Sequence, residues 1–249
     1  MAPRALIGIS GWSYPHWREG FYAGIPRNQW LRHCADTFNA LEINASFYRL
    51  QAPDTLRKWY GQTPPTFRFA MKGNRFLTHN RKLREPASSV ALEAQHAAPL
   101  ADKLAAVVWQ LPQNFGKHAQ RLEVFADALG AWRGVRHALE FRHPSWFDDE
   151  TATCLQEHHL AVCISDAADW PMWDAVTTDL VYIRLHGHTR TWASAYSSVA
   201  LRGWARRIEA WLQSGHEVQV YFDNDAEGAA PCDALRLMEL LGIGASIQH

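Results

Sequence analysis

Runs rich in β-branched, aliphatic and aromatic residues return eight times along this chain, at residues 6–10, 41–44, 67–72, 106–111, 138–142, 160–166, 180–186 and 217–222. Between them lie longer stretches whose apolar residues recur every three or four positions, the period of an amphipathic helix. Trp30, Leu31, Cys34 and Phe38 share one such face, as do Leu122, Phe125 and Leu129, and Trp204, Ile208, Trp211 and Leu212. Pro231 suits the first turn of the last helix and Gly242 the position just past its end. Pro99 breaks the alanine-rich stretch 87–104. Strands alternating with helices predict right-handed crossovers and a parallel sheet. Eight such units in 249 residues predict an α/β fold, a (β/α)8 TIM barrel with eight parallel strands, whose usual length is about 250 residues. An open doubly wound sheet is the runner-up, but Gly8-Ile9-Ser10-Gly11 lacks the spacing of a dinucleotide-binding turn. No low-complexity linker interrupts the pattern, so residues 1–249 are read as one domain.

Composition narrows the class. The 25 basic and 25 acidic side chains cancel, which removes the simplest electrostatic case for bulk nucleic-acid or membrane-surface binding. The four cysteines, Cys34, Cys154, Cys163 and Cys232, are too scattered for a disulfide framework or a paired-cysteine zinc motif. The beginning lacks a long apolar signal segment, and no run is long enough to span a membrane. These features predict a soluble cytoplasmic protein without a membrane partner. No cofactor is expected, with a divalent metal kept as a minor alternative.

Strand parity carries the functional reading, because successive side chains point to opposite faces. Glu42 and Asn44 share a face, as do Arg68, Ala70 and Lys72, Val108 and Gln110, Glu140 and Arg142, Tyr182, Arg184 and His186, and Gln219, Tyr221 and Asp223. The opposite faces are apolar and suit the surrounding helices. The polar faces must then look into the barrel, where charged groups need partners. Glu42, Glu140, Asp166 and His186, from four strands, form the candidate catalytic set, for acid/base work or a metal. The bland alternative is an internal salt-bridge network with Arg68, Lys72, Arg142 and Arg184.

Three loops add candidates. Lys72, Arg75, His79, Arg81, Lys82 and Arg84 precede the next acid, Glu85, and suit a phosphate or a nucleic-acid backbone, or else a solvated loop. His186-Gly187-His188 and the segment 224–231 follow the last two strands, a common phosphate-binding place in such barrels. Trp12 and Tyr14, in an aromatic loop with Trp17, Phe21 and Tyr22, suit stacking on a ligand or a hydrophobic plug. Six of the 12 tryptophans (Trp30, Trp59, Trp109, Trp132, Trp204 and Trp211) fall on elements that pack strands against helices. Trp12, Trp17, Trp146, Trp170, Trp173 and Trp192 fall in loops on the expected ligand side. No Ser or Cys nucleophile motif occurs.

Several motifs resemble the domain of unknown function 72 (YecE-like) family: Ser10-Gly11-Trp12-Ser13-Tyr14, Glu42-Ile43-Asn44-Ala45-Ser46-Phe47-Tyr48-Arg49, Lys72 with Thr78-His79, and Gln110-Leu111-Pro112. So do Glu140-Phe141-Arg142-His143-Pro144-Ser145-Trp146, Arg184-Leu185-His186-Gly187 and Tyr221-Phe222-Asp223-Asn224-Asp225, in order along nearly the whole chain. The resemblance implies a TIM barrel and no established activity. Its barrel is similar to the endonuclease IV and xylose isomerase group, which implies nucleic-acid or sugar chemistry by analogy alone. The metal ligands of endonuclease IV have no residue-by-residue match here. Asp223 and Asp233 stand where the family pattern suggests Asn.

The resulting expectation is a polar mouth for a small phosphorylated or polyhydroxylated ligand. Glu42 and Glu140 would supply acid/base chemistry, with Asp166 beside them and His186 as proton carrier or orienting group. Lys72, Arg142 and Arg184 would hold an anion; Asn44, Gln110 and Asn224 would orient the ligand; Trp12 and Tyr14 would lie against it. A nucleic-acid enzyme or binder and a non-catalytic interaction protein with a structural polar barrel are the competing readings.

Overall fold

The computed structural model describes residues 5–244; the termini of the expected 1–249 domain lie outside the described residues. The eight runs form β1 (Ala5–Ser10), β2 (Ala40–Ile43), β3 (Arg68–Lys72), β4 (Leu104–Gln110), β5 (Arg136–Glu140), β6 (Ala161–Asp166), β7 (Leu180–Leu185) and β8 (Glu217–Phe222). Every neighbouring pair is parallel, and β1 pairs with both β2 and β8, which closes a barrel. The outer helices are α1 (Trp30–Thr37), α2 (Ala45–Tyr48), α3 (Pro53–Gln62), α4 (Pro86–Ala97), α5 (Ala119–Gly130), α6 (Asp149–Glu157), α7 (Ser198–Gln213) and α8 (Ala229–Leu240). Helix α4 stops just before Pro99 and continues only as a 3-10 turn, as a missing backbone N–H requires.

One of the expected eight strand–helix units departs from the pattern. Residues 167–179, between β6 and β7, form no helix. Pro171 interrupts them, and their tryptophans serve as plugs. Trp170 donates from Nε1 to Ser165 Oγ at 2.9 Å, and Trp173 stacks on Phe147.

Two apolar regions hold the barrel. Outside, Ile7, Leu41, Phe69, Trp109, Ile164, Ile183 and Val220 meet the helices in one continuous core. Inside, a smaller cluster holds Leu6, Ala40, Ala70, Ala106, Val108, Ala138, Ala161, Cys163, Leu180, Tyr182 and Tyr221. Its asymmetry matters. Strands β1 to β5 contribute mostly Gly or Ala to the lower interior, while β7 and β8 contribute Tyr182, Arg184, Gln219 and Tyr221, all fully buried. Large side chains from one side fill space vacated by small ones on the other, which keeps the interior packed.

Gly8 is the tightest point. A Cβ there would lie 1.8 Å from the carbonyl oxygen of Ala40 on β2, against backbone that cannot rotate away. Gly203, inside α7, has nothing within 4 Å of the same added atom. Gly8→Ala is therefore expected to cost about 3 kcal/mol or more, and Gly203→Ala to stabilise by about 0.5–1 kcal/mol. Urea unfolding of the two variants checks this; equal midpoints would refute the tight β1–β2 packing.

Candidate functional site

Arg184 rises from β7 into the barrel axis and is fully buried. Its guanidinium is the meeting point of four other strands. Nε donates to Glu42 Oε2 at 3.0 Å and Nη2 to Glu42 Oε1 at 2.8 Å, a two-pronged bond to β2. Nη1 donates to Glu140 Oε2 on β5 at 2.7 Å. Nη2 also reaches Asp223 Oδ2, just past β8, at 2.9 Å, and Ser10 Oγ on β1 at 3.3 Å. The carboxylates have further donors. Glu42 accepts from Tyr182 Oη at 2.7 Å and Ser10 Oγ at 2.6 Å; Glu140 accepts from Arg142 Nε at 2.6 Å.

Burial alone would raise the Glu140 carboxyl, but Arg142 and Arg184 outweigh it and hold the group well below the usual carboxylate range. Burial likewise works against ionised Asp223, and Arg184 with His186 overcomes it. His186 Nε2 accepts from Arg184 Nη1 at 3.2 Å, so the ring proton sits on Nδ1. That nitrogen lies 3.0 Å from Asp223 Oδ2, where its N–H favours the ionised carboxylate. Burial and Arg184 lower the imidazole's basicity, which keeps His186 neutral.

Above this layer opens a cavity of about 470 Å³ at the C-terminal ends of the strands. Its charged walls are Lys72, Arg75 and Arg142, with Asp223 at the floor. Arg142 stacks its guanidinium 3.7 Å above the Trp170 ring. Lys72 is 6% exposed and lies 4.1 Å over the Phe47 ring, and no hydrogen bond or ion pair among the described residues engages its ammonium. Burial, then Arg184, lower it to about 8. His79, on the wall, is lowered to about 4 by burial and by Lys72, Arg75 and Arg142, so it reports a positive local potential. Asn44 Oδ1 is buried here without a hydrogen-bond partner. Trp192 closes one side, 45% exposed and in the left-handed region at φ 61, a conformation costly for a bulky residue.

The structure brings Glu42, Glu140, Arg142, Arg184, His186 and Lys72 together, with Asn44 and Gln110 beside them on the cavity wall. It separates others. Asp166 does not join the carboxylate cluster: it has the parity of Val162 and Ile164, and it pairs with His188 at 3.0 Å. Asn224 does not face the mouth. Its Nδ2 donates to Ser194 O and to Asp233 Oδ2, which ties the β8–α8 turn. Arg68 sits at the far end of β3, bonded to the carbonyls of Pro65 and Phe67. Trp12 and Tyr14 line a separate, smaller cleft of about 190 Å³ with Trp59, adjoining the mouth through Asn44 and Tyr48. Of the loop tryptophans, Trp12, Trp17, Trp146 and Trp170 are buried in packing, and Trp192 alone among them lines the large cavity. The basic loop divides too: Arg75 and His79 face the cavity, whereas Arg81 pairs with Glu85. Ser10, noted in the sequence only as part of a motif, and Ser165 complete the network, with Ser165 Oγ 3.4 Å from Glu140. A divalent ion at this mouth would have to take carboxylates already bound to Arg184.

The fold and site define a closed (β/α)8 barrel with a charged network beneath a cationic, strand-C-terminal mouth. A family model described as "Protein of unknown function DUF72" matches residues 6–248, and the chain belongs to that family. It is 24% identical to UPF0759 protein YunF of Bacillus subtilis (strain 168), over 95% of this chain and 94% of that protein. It is 32% identical to UPF0759 protein YecE of Escherichia coli (strain K12) over 142 residues, 57% of this chain and 49% of that protein. A crystal structure of a DUF72 family protein from Thermotoga maritima MSB8 superposes with a TM-score of 0.86 at 24% identity, covering 96% of this chain and 99% of that one. One from Enterococcus faecalis V583 gives 0.82 at 20% identity, covering 96% of both.

Removing Arg184 strands its carboxylates. Arg184→Leu is expected to lose about 3–5 kcal/mol at neutral pH. The sign of the pH dependence should also reverse. In the wild type, Glu140 and Asp223 have lowered folded pKa values. Their contribution is present above the unfolded values of about 4 and is lost as pH falls through the folded ones. Without Arg184, Asp223 loses the largest influence opposing its burial while Glu140 keeps Arg142, so the folded value of Asp223 rises and the variant should gain stability between about pH 7 and pH 4. Urea midpoints at the two pH values check this; parallel pH profiles would refute it.

Proposed function

We propose that the mouth binds a small anionic molecule carrying hydroxyl groups, of the phosphorylated-sugar or polyol-phosphate class. The observation that carries this reading is the buried Lys72 ammonium, unpartnered and facing a 470 Å³ cavity walled also by Arg75 and Arg142. A buried ammonium with no carboxylate in direct contact is only partly compensated by the more distant Asp223 and Glu140, and an anionic ligand supplies the direct partner. Arg142 gives only Nε to Glu140, which leaves its outer nitrogens for a second, charge-assisted contact. Asn44 Oδ1 suits a ligand hydroxyl as donor partner, and Gln110 offers a second amide. Trp192, exposed and held in a strained conformation, suits stacking on the apolar face of a ring.

Proton transfer, on this reading, belongs to groups open to the cavity rather than to Glu42 and Glu140, whose oxygens are already occupied by Arg184 and its neighbours. Lys72, lowered to about 8, exchanges a proton near neutral pH. Glu42 and Glu140 act by holding Arg184 and Arg142 in place. The chain is proposed to work as one cytoplasmic barrel unit; no helix among the described residues is long and apolar enough to cross a membrane.

Calorimetric titration with a panel of phosphorylated and unphosphorylated sugars, together with single- and double-stranded DNA, tests the proposal. A phosphorylated small molecule should bind, and Lys72→Met or Arg142→Gln should weaken it by about tenfold or more while the far-UV spectrum is unchanged. Protonated Lys72 holds the anion, so wild-type affinity should fall as pH rises past about 8, and Lys72→Met should lose that dependence. Binding of DNA alone, with a steep salt dependence, or affinity indifferent to both substitutions, would overturn it.

A further inference from the structure

Away from the mouth, on the outer ring, α5 and α6 lie side by side and each presents a pair of residues four apart. Glu123 and Asp127 share a face of α5. Cys154 lies on α6, and His158 caps that helix. Residues four apart on a helix stack one above the other, so the two pairs meet across the groove. Glu123 Oε1 lies 2.9 Å from His158 Nε2, and Glu123 Oε2 accepts from Cys154 Sγ at 3.3 Å. One donor atom from each of Glu123, Cys154 and His158 lies within 4.8 Å of the others.

We propose that Glu123, Cys154 and His158 form a binding site for a thiophilic divalent cation of the zinc class, with Asp127 orienting His158. Sulfur, nitrogen and one carboxylate oxygen are a zinc-type donor set, whereas magnesium and calcium prefer oxygen alone. Tetrahedral zinc ligands stand about 3.3–3.8 Å apart, given bond lengths of 2.0–2.3 Å, so the trio needs movements of about an ångström. Asp127 Oδ1 lies 3.8 Å from the other imidazole nitrogen, Nδ1. A metal would replace the contact between Nε2 and Glu123, while Asp127 stands near Nδ1 as the carboxylate that histidine ligands to metals commonly have behind them. The local charge suits a cation as well. Glu150 and Glu157 border the same groove as Glu123 and add negative charge near the trio. On binding, the hydrated ion exchanges three waters for the three side chains. The thiol proton leaves to solvent as the metal–sulfur bond forms. A cavity of about 290 Å³, bordered by Glu123, Cys154, Thr151 and Lys117, adjoins the trio and offers both entry and room for the fourth ligand. The ion would tie α5 to α6 independently of the mouth.

Cobalt(II) titration of the purified chain tests the site, because thiolate coordination gives a charge-transfer absorption that histidine and carboxylate ligands do not. One equivalent should produce this band, zinc should abolish it by displacement, and magnesium should leave it unchanged. Cys154→Ser should remove the band. Asp127→Asn should keep it while weakening affinity by about 10–100-fold. Cys232→Ser, at the exposed cysteine on α8, should change nothing. All these positions except Cys154 and His158 are strongly exposed, and far-UV spectra verify folding of each variant. Absence of the band, its survival in Cys154→Ser, or its loss in Cys232→Ser would overturn the proposal.

Discussion

The guanidinium of Arg184 is the interaction on which the interior depends. It reaches from β7 to Glu42 on β2 and Glu140 on β5, and to Asp223 beyond β8, and so joins far sides of the barrel without any apolar layer between them. An arm of that length needs empty space to cross. Gly8, Ala40, Ala70, Ala106 and Ala138 provide it from five consecutive strands. Replacing the usual aliphatic filling with an ion cluster gives little net stability, since desolvation offsets most of the Coulomb attraction. What the cluster does provide is rigidity and register, because both oxygens of Glu42 and of Glu140 and all three guanidinium nitrogens of Arg184 have directed partners.

Three carboxylates against one guanidinium leave the inner layer with an excess of negative charge. The excess is compensated from above, by Arg142 bonded to Glu140 and by Lys72, whose ammonium feels Glu140 and Asp223. The barrel is therefore layered: anions held in the interior, cations standing over them and open to the mouth. The same layering explains why the acids are poor proton carriers while their cationic neighbours are exposed to a ligand. Arg75 adds a further positive charge at the rim, and burial followed by these cations depresses the basicity of His79.

Much of this was legible in the residues, and the failures have physical causes. Strict alternation on β2, β5, β7 and β8 identified Glu42, Glu140, Arg184 and His186, because polar and apolar residues separate cleanly there. On β6 both faces are apolar or small through Ala161, Val162, Cys163 and Ile164. Alternation carries no signal in such a strand, so the adjacent Ser165 and Asp166 could not be told apart; the inward one is Ser165. Asn224 failed for a related reason. It follows the inward Asp223 and therefore points out, where Asp233 of α8 meets it. Whether a loop tryptophan plugs the barrel or faces a ligand depends on loop paths that side-chain patterning does not encode.

Asp223 connects the two layers. It belongs to the ion cluster through Arg184, yet it also forms the floor of the cavity. Among the described residues lining that cavity it is the one carboxylate. An amide in its place could still accept from Arg184, but it would leave Lys72 with one counter-charge fewer. The acid thus lets this chain keep a protonated lysine in a buried position before any ligand arrives. On the proposed function, a ligand anion entering the mouth would compete with Asp223 for the same cations, and would gain Lys72 and Arg142 only against an existing attraction. That competition would favour ligands able to contact Lys72, Arg75 and Arg142 together over those offering a single weak charge. Selectivity would then be set by the carboxylate beneath the mouth as much as by the cations around it.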